Sequence, residues 1–252
     1  MSVKPKVAIV IPSYNSEQFL EETVNSAKSQ VYDNCDIYIY DNESTDNSYK
    51  IAKKLEEKDQ KIKVLQVENL YKRSYREAFE HSFENLEFDY ITFLASDDYI
   101  SENYISSYIN IISKSANKIK CMQSPICGIR NGAEVGNISH QYKNISEFKR
   151  QSLHKSPVTT PTVIYHKSIY ELLAPKSHLE SMVEYGGAED YDMFCNLIDN
   201  NVFIYSVPEF LGYYYRWHDN QNTWLVHEQK KNIDYDKMIR DYWKEKWQQE
   251  IR

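Results

Sequence analysis

Val7-Ala8-Ile9-Val10-Ile11 is an unbroken apolar, β-branched run closed by Pro12, the pattern of a strand buried on both faces of a parallel sheet. In the segment after it, Leu20, Val24, Ala27 and Val31 recur at helical spacing, with Asn15 or Ser16 placed to cap the helix. The same unit then repeats. Residues 37–40 read as a strand and 49–55 as a helix, 62–67 as a strand and 75–83 as a helix. Residues 90–94 make a fourth strand ending in Ala95-Ser96-Asp97-Asp98, after which Ser101 can cap a helix through Ile112. Strands alternating with helices predict an α/β fold: a Rossmann-like, mostly parallel central sheet covered by helices on both faces.

Beyond residue 115 the rhythm weakens. Residues 120–126 and 162–165 read as strands and 168–173 as a short helix, while 128–161, with three glycines and two prolines, read as long loops or a small insertion. After Gly186-Gly187, the spacing of Tyr191, Phe194, Cys195 and Ile198 predicts a helix beginning at Glu189-Asp190. The charged tail from 227 to 252 carries Ile233, Met238, Tyr242, Trp243 and Trp247 along a further helix. One domain over 1–252 is expected, divided into a regular half (1–115), a less regular half (116–226) and the helical tail (227–252).

Composition narrows the function. All six glycines lie at or after Gly128, so the first half holds neither a P-loop nor a dinucleotide-binding glycine turn. A net charge of -7 argues against nucleic acid as partner. Cys35, Cys121, Cys127 and Cys195 show no zinc or disulfide spacing, which fits a reducing cytoplasmic compartment. The only N-terminal apolar run is too short to span a membrane or to form a signal-peptide core.

In an open parallel sheet, ligands bind where strand order switches, at the carboxyl ends of the strands. Three polar segments follow strands directly: Pro12-Ser13-Tyr14-Asn15, Asp41-Asn42-Glu43-Ser44 and Ser96-Asp97-Asp98. Adjacent carboxylates at a strand end suit Mg²⁺ or Mn²⁺, which take hard oxygen ligands together with substrate phosphates. The alternative is that Asp97 and Asp98 only end a strand and cap the next helix.

These three segments, taken as Val7 to Asn15, Ile37 to Asp46 and Tyr90 to Asp98, resemble in order and spacing the nucleotide-sugar-binding half of the family 2 glycosyltransferases of the GT-A fold. Glu189-Asp190 resembles the acidic pair of that family. The resemblance implies an inverting transfer of a sugar from a nucleotide-diphosphate donor, a UDP-sugar foremost, to an acceptor hydroxyl of a glycan or lipid-linked glycan. It implies that Tyr14 stacks on the base beside Pro12 and Asn15, that Asp41 and Asn42 face base and ribose, and that Ser96 and Asp97 contact the donor. Asp98 would be the main metal ligand, with Asp97 beside it. Arg76, Arg216 and His218 would reach the diphosphate or its metal, and Asp190 would be the general base. The sequence departs from the family at Ala95, Asn42 and Glu43 and at Asn69-Leu70-Tyr71. Where glycine is usual at Glu43 and Tyr71, the backbone is expected to take another route.

Other readings stay open at this level. Asp190 would serve equally as a helix N-cap and His218 as an ordinary histidine, and Tyr213, Tyr214 and Tyr215 fit core and rim positions. The tail is either a latch helix or an aromatic-basic surface for weak peripheral membrane attachment. A homodimer is compatible with the sequence. The competing functions are a catalytically inactive GT-A-like binding module and a sugar nucleotidyltransferase, the latter disfavoured by the glycine-free first half.

Overall fold

The computed structural model describes residues 4–68, 75–116, 118–173, 189–219, 221 and 234–248. The alternation expected for the first half is present: β1 (Val7–Ser13), α1 (Leu20–Lys28), β2 (Cys35–Asp41), α2 (Ser48–Glu56), β3 (Ile62–Gln66), α3 (Tyr75–Asn85) and β4 (Tyr90–Phe93). Then follow β5 (Tyr99–Ile100), α4 (Tyr104–Lys114), β6 (Cys121–Gln123), β7 (Ile126–Arg130), β8 (Ala133–Ile138), α5 (Ile145–Ser152) and β9 (Ile164–His166). The last elements are α6 (Glu189–Asp199), β10 (Ile204–Ser206), β11 (Tyr213–Trp217) and α7 (Tyr235–Trp247).

Among the described residues, a seven-stranded sheet runs β10-β6-β9-β4-β1-β2-β3, with β9 antiparallel to both its neighbours. The central strand explains the two-sided core. Val7, Ile9 and Ile11 enter one hydrophobic layer, with Leu20, Val24, Ala52, Ile105 and Tyr108 of the helices on that face. Ala8 and Val10 enter the opposite layer, with Phe79, Phe148, Phe194 and Ile198. Successive side chains of a strand point to opposite faces, so a continuous apolar run is what a doubly covered strand needs.

A second sheet, β5-β11-β7-β8, stands beside the first. It was not legible as such. Residues 120–126, expected as one strand, are split: β6 joins the large sheet and β7 the small one, with Ser124-Pro125 between them. Proline supplies no ladder donor and keeps the residue before it out of the helical region, so it suits the change of sheet. The expected long loops at 128–161 contain the β7–β8 hairpin and α5. Asn131 and Gly132 turn that hairpin with φ of 51° and 76°. An Asn-Gly pair is the strongest short hairpin signal, and it was present in the sequence. At 162–165, a 3-10 turn (Thr160–Thr162) precedes β9.

The caps differ as well. The α1 helix starts at Leu20, with Phe19 at the N-cap and no side-chain cap bond, because the Ser16 hydroxyl pairs with the Ser96 hydroxyl at 2.6 Å. Likewise the Ser101 hydroxyl donates to the Leu211 carbonyl, and Asn103 holds the N-cap of α4. The four cysteines are buried and free. No helix among the described residues is long and apolar enough to cross a membrane.

The α7 helix packs on α6. Trp243 and Trp247 are fully buried, with Tyr191, Cys195, Tyr235 and Ile239 around them. The aromatic residues at these positions therefore face the protein, as the latch reading requires and the exposed aromatic surface does not.

Candidate active site

The strand order places a switch point between β1 and β4. Both β2 and β4 lie parallel to β1 on opposite sides. The β1–β2 register continues to Ser13 and Asp41, whereas β1–β4 pairing ends at Val10 and Phe93. Past Val10 the two strands part, and it is at such a point, at the carboxyl ends of the strands, that an open parallel sheet binds its ligand. Pro12 lies on β1 beyond that parting, in register with Tyr40.

At the carboxyl ends of β1 and β2 stand Ser13, Asp41 and Asn42, each no more than 1% exposed. The Asn42 amide nitrogen donates to the carbonyls of Tyr40 (3.0 Å) and Ser13 (3.3 Å), which fixes which end of the amide points away. Asp41 Oδ2 accepts the Ser44 amide at 3.3 Å. Ser13 Oγ, Asp41 Oδ1 and Asn42 Oδ1 have no partner among the described residues. A buried polar atom left unpaired costs about 1–3 kcal/mol, so three together at the ends of β1 and β2 are a local cost of the fold at this edge.

The loops beyond these strand ends are stitched together. Asn15, at φ 49°, donates its amide to Ser44 Oγ (3.1 Å) and accepts the Thr45 amide on Oδ1 (2.8 Å). Tyr14 stands 48% exposed beside them. Glu43 has φ 59°, so it takes the left-handed conformation usual for glycine, and the other route expected there is not taken. Arg76 falls on the first turn of α3. Its side chain lies outside the described residues, as do Asn69-Leu70-Tyr71 and Gly186-Gly187.

The acidic pair after β4 divides into two environments. Asp98 is fully buried; Oδ1 accepts the Arg216 amide and Oδ2 the Tyr213 hydroxyl, both at 2.8 Å. Burial and the neighbouring Asp97 charge push its carboxyl well above the usual range, against those two hydrogen bonds. Both of its oxygens are engaged by β11. Asp97 is the more open member, 23% exposed, and its Oδ2 lies 2.9 Å from His218 Nε2. The His218 ring leans on Phe19 at 4.8 Å.

Ser96 is a hinge between segments: its hydroxyl meets Ser16 and its carbonyl accepts the Thr23 hydroxyl at 2.9 Å. Arg216 lies beside the Asp97–Asp98 pair. Nε donates to the Asp97 carbonyl at 2.7 Å, Nη2 pairs with Glu22 at 2.9 Å, and the guanidinium lies over Phe19 (4.7 Å) and Tyr99 (5.3 Å). With its donors turned to Glu22 and the Asp97 backbone, Arg216 braces the loop that presents Asp97.

Asp190 reaches the same edge by a different path. The β9 strand runs antiparallel to β4 with Thr92 opposite Ile164, so the turn before β9 lies at the carboxyl end of β4. The Thr92 hydroxyl ties that turn down through the Val163 carbonyl at 3.1 Å. Thr160 of the turn donates to Asp190 Oδ2 at 2.6 Å. Desolvation raises the Asp190 carboxyl above the ordinary carboxylate value, against the Thr160 bond and the Tyr191 amide, and the charge of Asp236 adds to the rise. Asp190 keeps partial solvent access. A carboxylate of raised basicity at a ligand crevice is suited to accept a proton.

The sequence reading missed Thr160, Thr23 and the role of Tyr213. No local pattern marks them, because each acts on a partner far along the chain.

Comparison with known proteins now bears on this geometry. The sequence model described as Glycosyl transferase family 2 matches residues 8–173, well over half of the chain. The chain belongs to this family. It is 25% identical over 237 residues to an uncharacterized glycosyltransferase of Haemophilus influenzae, covering 90% of this chain and 70% of that one. It is 32% identical over 117 residues to the glycosyltransferase GlyA of Streptococcus pneumoniae, covering 46% of this chain and only 16% of GlyA. Among solved structures, S. aureus TarS 1-349 in complex with UDP-GlcNAc superposes with a TM-score of 0.67 at 20% identity, covering 94% of this chain and 70% of that one. The mannosyltransferase PcManGT of Pyrobaculum calidifontis, in complex with GDP-Man and Mn²⁺, gives 0.59 at 13% identity, covering 88% of this chain and 60% of that one. These likenesses establish the GT-A fold for the chain.

Proposed function

We propose that this family 2 glycosyltransferase is an inverting, metal-dependent enzyme that moves a sugar, a hexose in type, from a UDP-sugar to an acceptor hydroxyl of a glycan. The observation that carries the reading is the gathering of polar groups at the switch point: Ser13, Asp41 and Asn42 at the carboxyl ends of β1 and β2, and the Asp97–His218 pair after β4. The UDP-GlcNAc held by TarS, a protein of the same fold, supports a UDP-sugar as donor.

Asp41 and Asn42 stand at the carboxyl end of β2, where the base would lie, and exposed Tyr14 offers a ring to its face. Asp97 and His218, paired with each other at 2.9 Å and partly exposed, are the residues that would hold Mn²⁺ or Mg²⁺, with phosphate oxygens filling the other positions. No group of three or more such ligands occurs among the described residues, so the donor diphosphate would complete the set. A divalent ion bound there supplies charge neutralisation for the leaving phosphate.

The protein's own residues do the rest. Asp190 takes the proton from the acceptor hydroxyl as its oxygen bonds to the anomeric carbon, while the bond from that carbon to the phosphate oxygen breaks and both its electrons leave with UDP. Attack opposite the leaving group inverts the anomeric configuration. Thr160 holds the Asp190 carboxylate in orientation.

The test is UDP release from UDP-hexoses with Mn²⁺ present, compared between wild type and Asp190→Asn. The expected loss is about 10²-fold or more in the variant, in keeping with removal of a general base. Equal rates in the two proteins would contradict the assignment, and no turnover by wild type with any UDP-hexose or glycan acceptor would favour the inactive binding module.

A further inference from the structure

The C-terminal helix does more than close the core. It grips α6, the helix whose first turn carries Asp190, at two points. The indole N–H of Trp243 donates to Asp192 Oδ1 at 2.7 Å and that of Trp247 to Asp199 Oδ1 at 2.8 Å. Lys246 pairs with Asp199 at 2.7 Å, and the buried Lys149 of α5 approaches the same carboxylate at 3.7 Å. Tyr191, next to Asp190, is buried against this helix, and its hydroxyl donates to the Ser152 carbonyl of α5.

Neighbours along an α-helix are turned by about 100° from one another, so Tyr191 lies beside Asp190 around the helix while Asp192 and Asp199 lie on roughly the opposite side. The quantity these contacts control is the roll of α6 about its own axis. A roll of roughly 10° carries a side-chain carboxylate by about 1 Å, given the helix radius and side-chain reach. We propose that Asp192, Trp243 and Trp247 are positioning residues that set the roll of α6 and hence the aim of Asp190 at the acceptor hydroxyl. This rests on the reading of Asp190 as the general base. The first turn of α7 also brings Asp236 towards Asp190, where it joins Thr160 and the Tyr191 amide in setting the proton affinity of that carboxylate.

The indole bond is the part that can be removed without emptying the core. Trp243→Phe keeps most of the ring but loses the N–H, and Asp192→Ala removes the acceptor. The measurement is kcat and donor KM across pH for both variants, with Tm, and with Asp190→Asn run alongside. The expected result is a fall in kcat of about tenfold in each variant with donor KM unchanged, since a displacement near 1 Å can cost up to about 10²-fold. The acid limb of the kcat profile moves as well. Asp192→Asn keeps an acceptor for the indole and recovers most of the rate lost in Asp192→Ala.

A role confined to stability predicts a lower Tm with kcat and the acid limb unmoved in the folded protein, and that outcome would overturn the proposal while leaving the general base in place. Full activity in Asp190→Asn would overturn the base assignment and this proposal with it. Should Trp243→Phe fail to fold, the Asp192→Ala and Asp192→Asn pair reads the same bond from its other end.

Discussion

Asp97 and Asp98 are neighbours in sequence with opposite fates. Both oxygens of Asp98 are held by β11, while the partly open Asp97 carboxylate meets His218. Their substitutions should separate accordingly. Asp98→Ala leaves the Tyr213 hydroxyl and the Arg216 amide unpaired, and is expected to lower unfolding stability by about 2–4 kcal/mol in denaturant titration, as the loss of a buried hydrogen-bonded charge does. Asp97→Ala is expected to leave the denaturation midpoint close to wild type. The resemblance to a known family put both acids at the site, but their roles depended on a strand more than a hundred residues downstream. Burial of an acid is decided by what the chain later packs over it. Arg216 was placed at the diphosphate by the family resemblance, and its contacts with Glu22, Phe19 and Tyr99 could not be read from the sequence.

At the level of elements, the large sheet was legible because each of its first four strands is a local pattern of apolar residues followed by a helix-period segment. The small sheet was not, since β5 has two residues and β11 is recognised only by pairing with β5 and β7. Gly212 is the residue that admits β11. Its φ is 105°, and a Cβ there would meet Ser101 Oγ at 1.9 Å. Gly212→Ala is therefore expected to be destabilising by about 1–3 kcal/mol from backbone strain alone. Because β11 carries Arg216 and leads to His218, metal-dependent donor binding should weaken in the same variant, as titration of UDP with Mn²⁺ would show. Unchanged affinity with lowered stability would separate β11 placement from the site. The α6–α7 pairing was legible as amphipathic spacing, whereas the indole bonds to Asp192 and Asp199 were not, because a Trp and an Asp some fifty residues apart leave no local signal.

For the whole molecule, titration connects stability and activity. Burial raises the Asp199 carboxyl, but Lys246, Trp247 and Lys149 outweigh it, so its folded value lies below the ordinary one. A carboxylate depressed on folding contributes stability above its unfolded pKa, and that contribution is lost as pH falls through the folded value. Docking of α7 is thus expected to weaken only below the usual carboxylate range of about pH 4, visible as a change in tryptophan fluorescence. Asp190 is shifted the other way. As the proposed base it would have to be ionised to act, so kcat is expected to fall with decreasing pH at a value above that range, before α7 loosens. A rate that declines only together with the fluorescence change would tie the acid limb to unfolding and not to Asp190.

The most direct measurement is calorimetric titration of UDP into wild type, Asp97→Ala and Asp190→Asn, each with and without Mn²⁺. The account predicts that UDP binds wild type in the presence of Mn²⁺, that Asp97→Ala loses this binding, and that Asp190→Asn keeps it. Binding of equal strength with and without Mn²⁺, or unaltered in Asp97→Ala, would contradict the central claim that the Asp97–His218 pair and the polar groups of Ser13, Asp41 and Asn42 together form a nucleotide-sugar site.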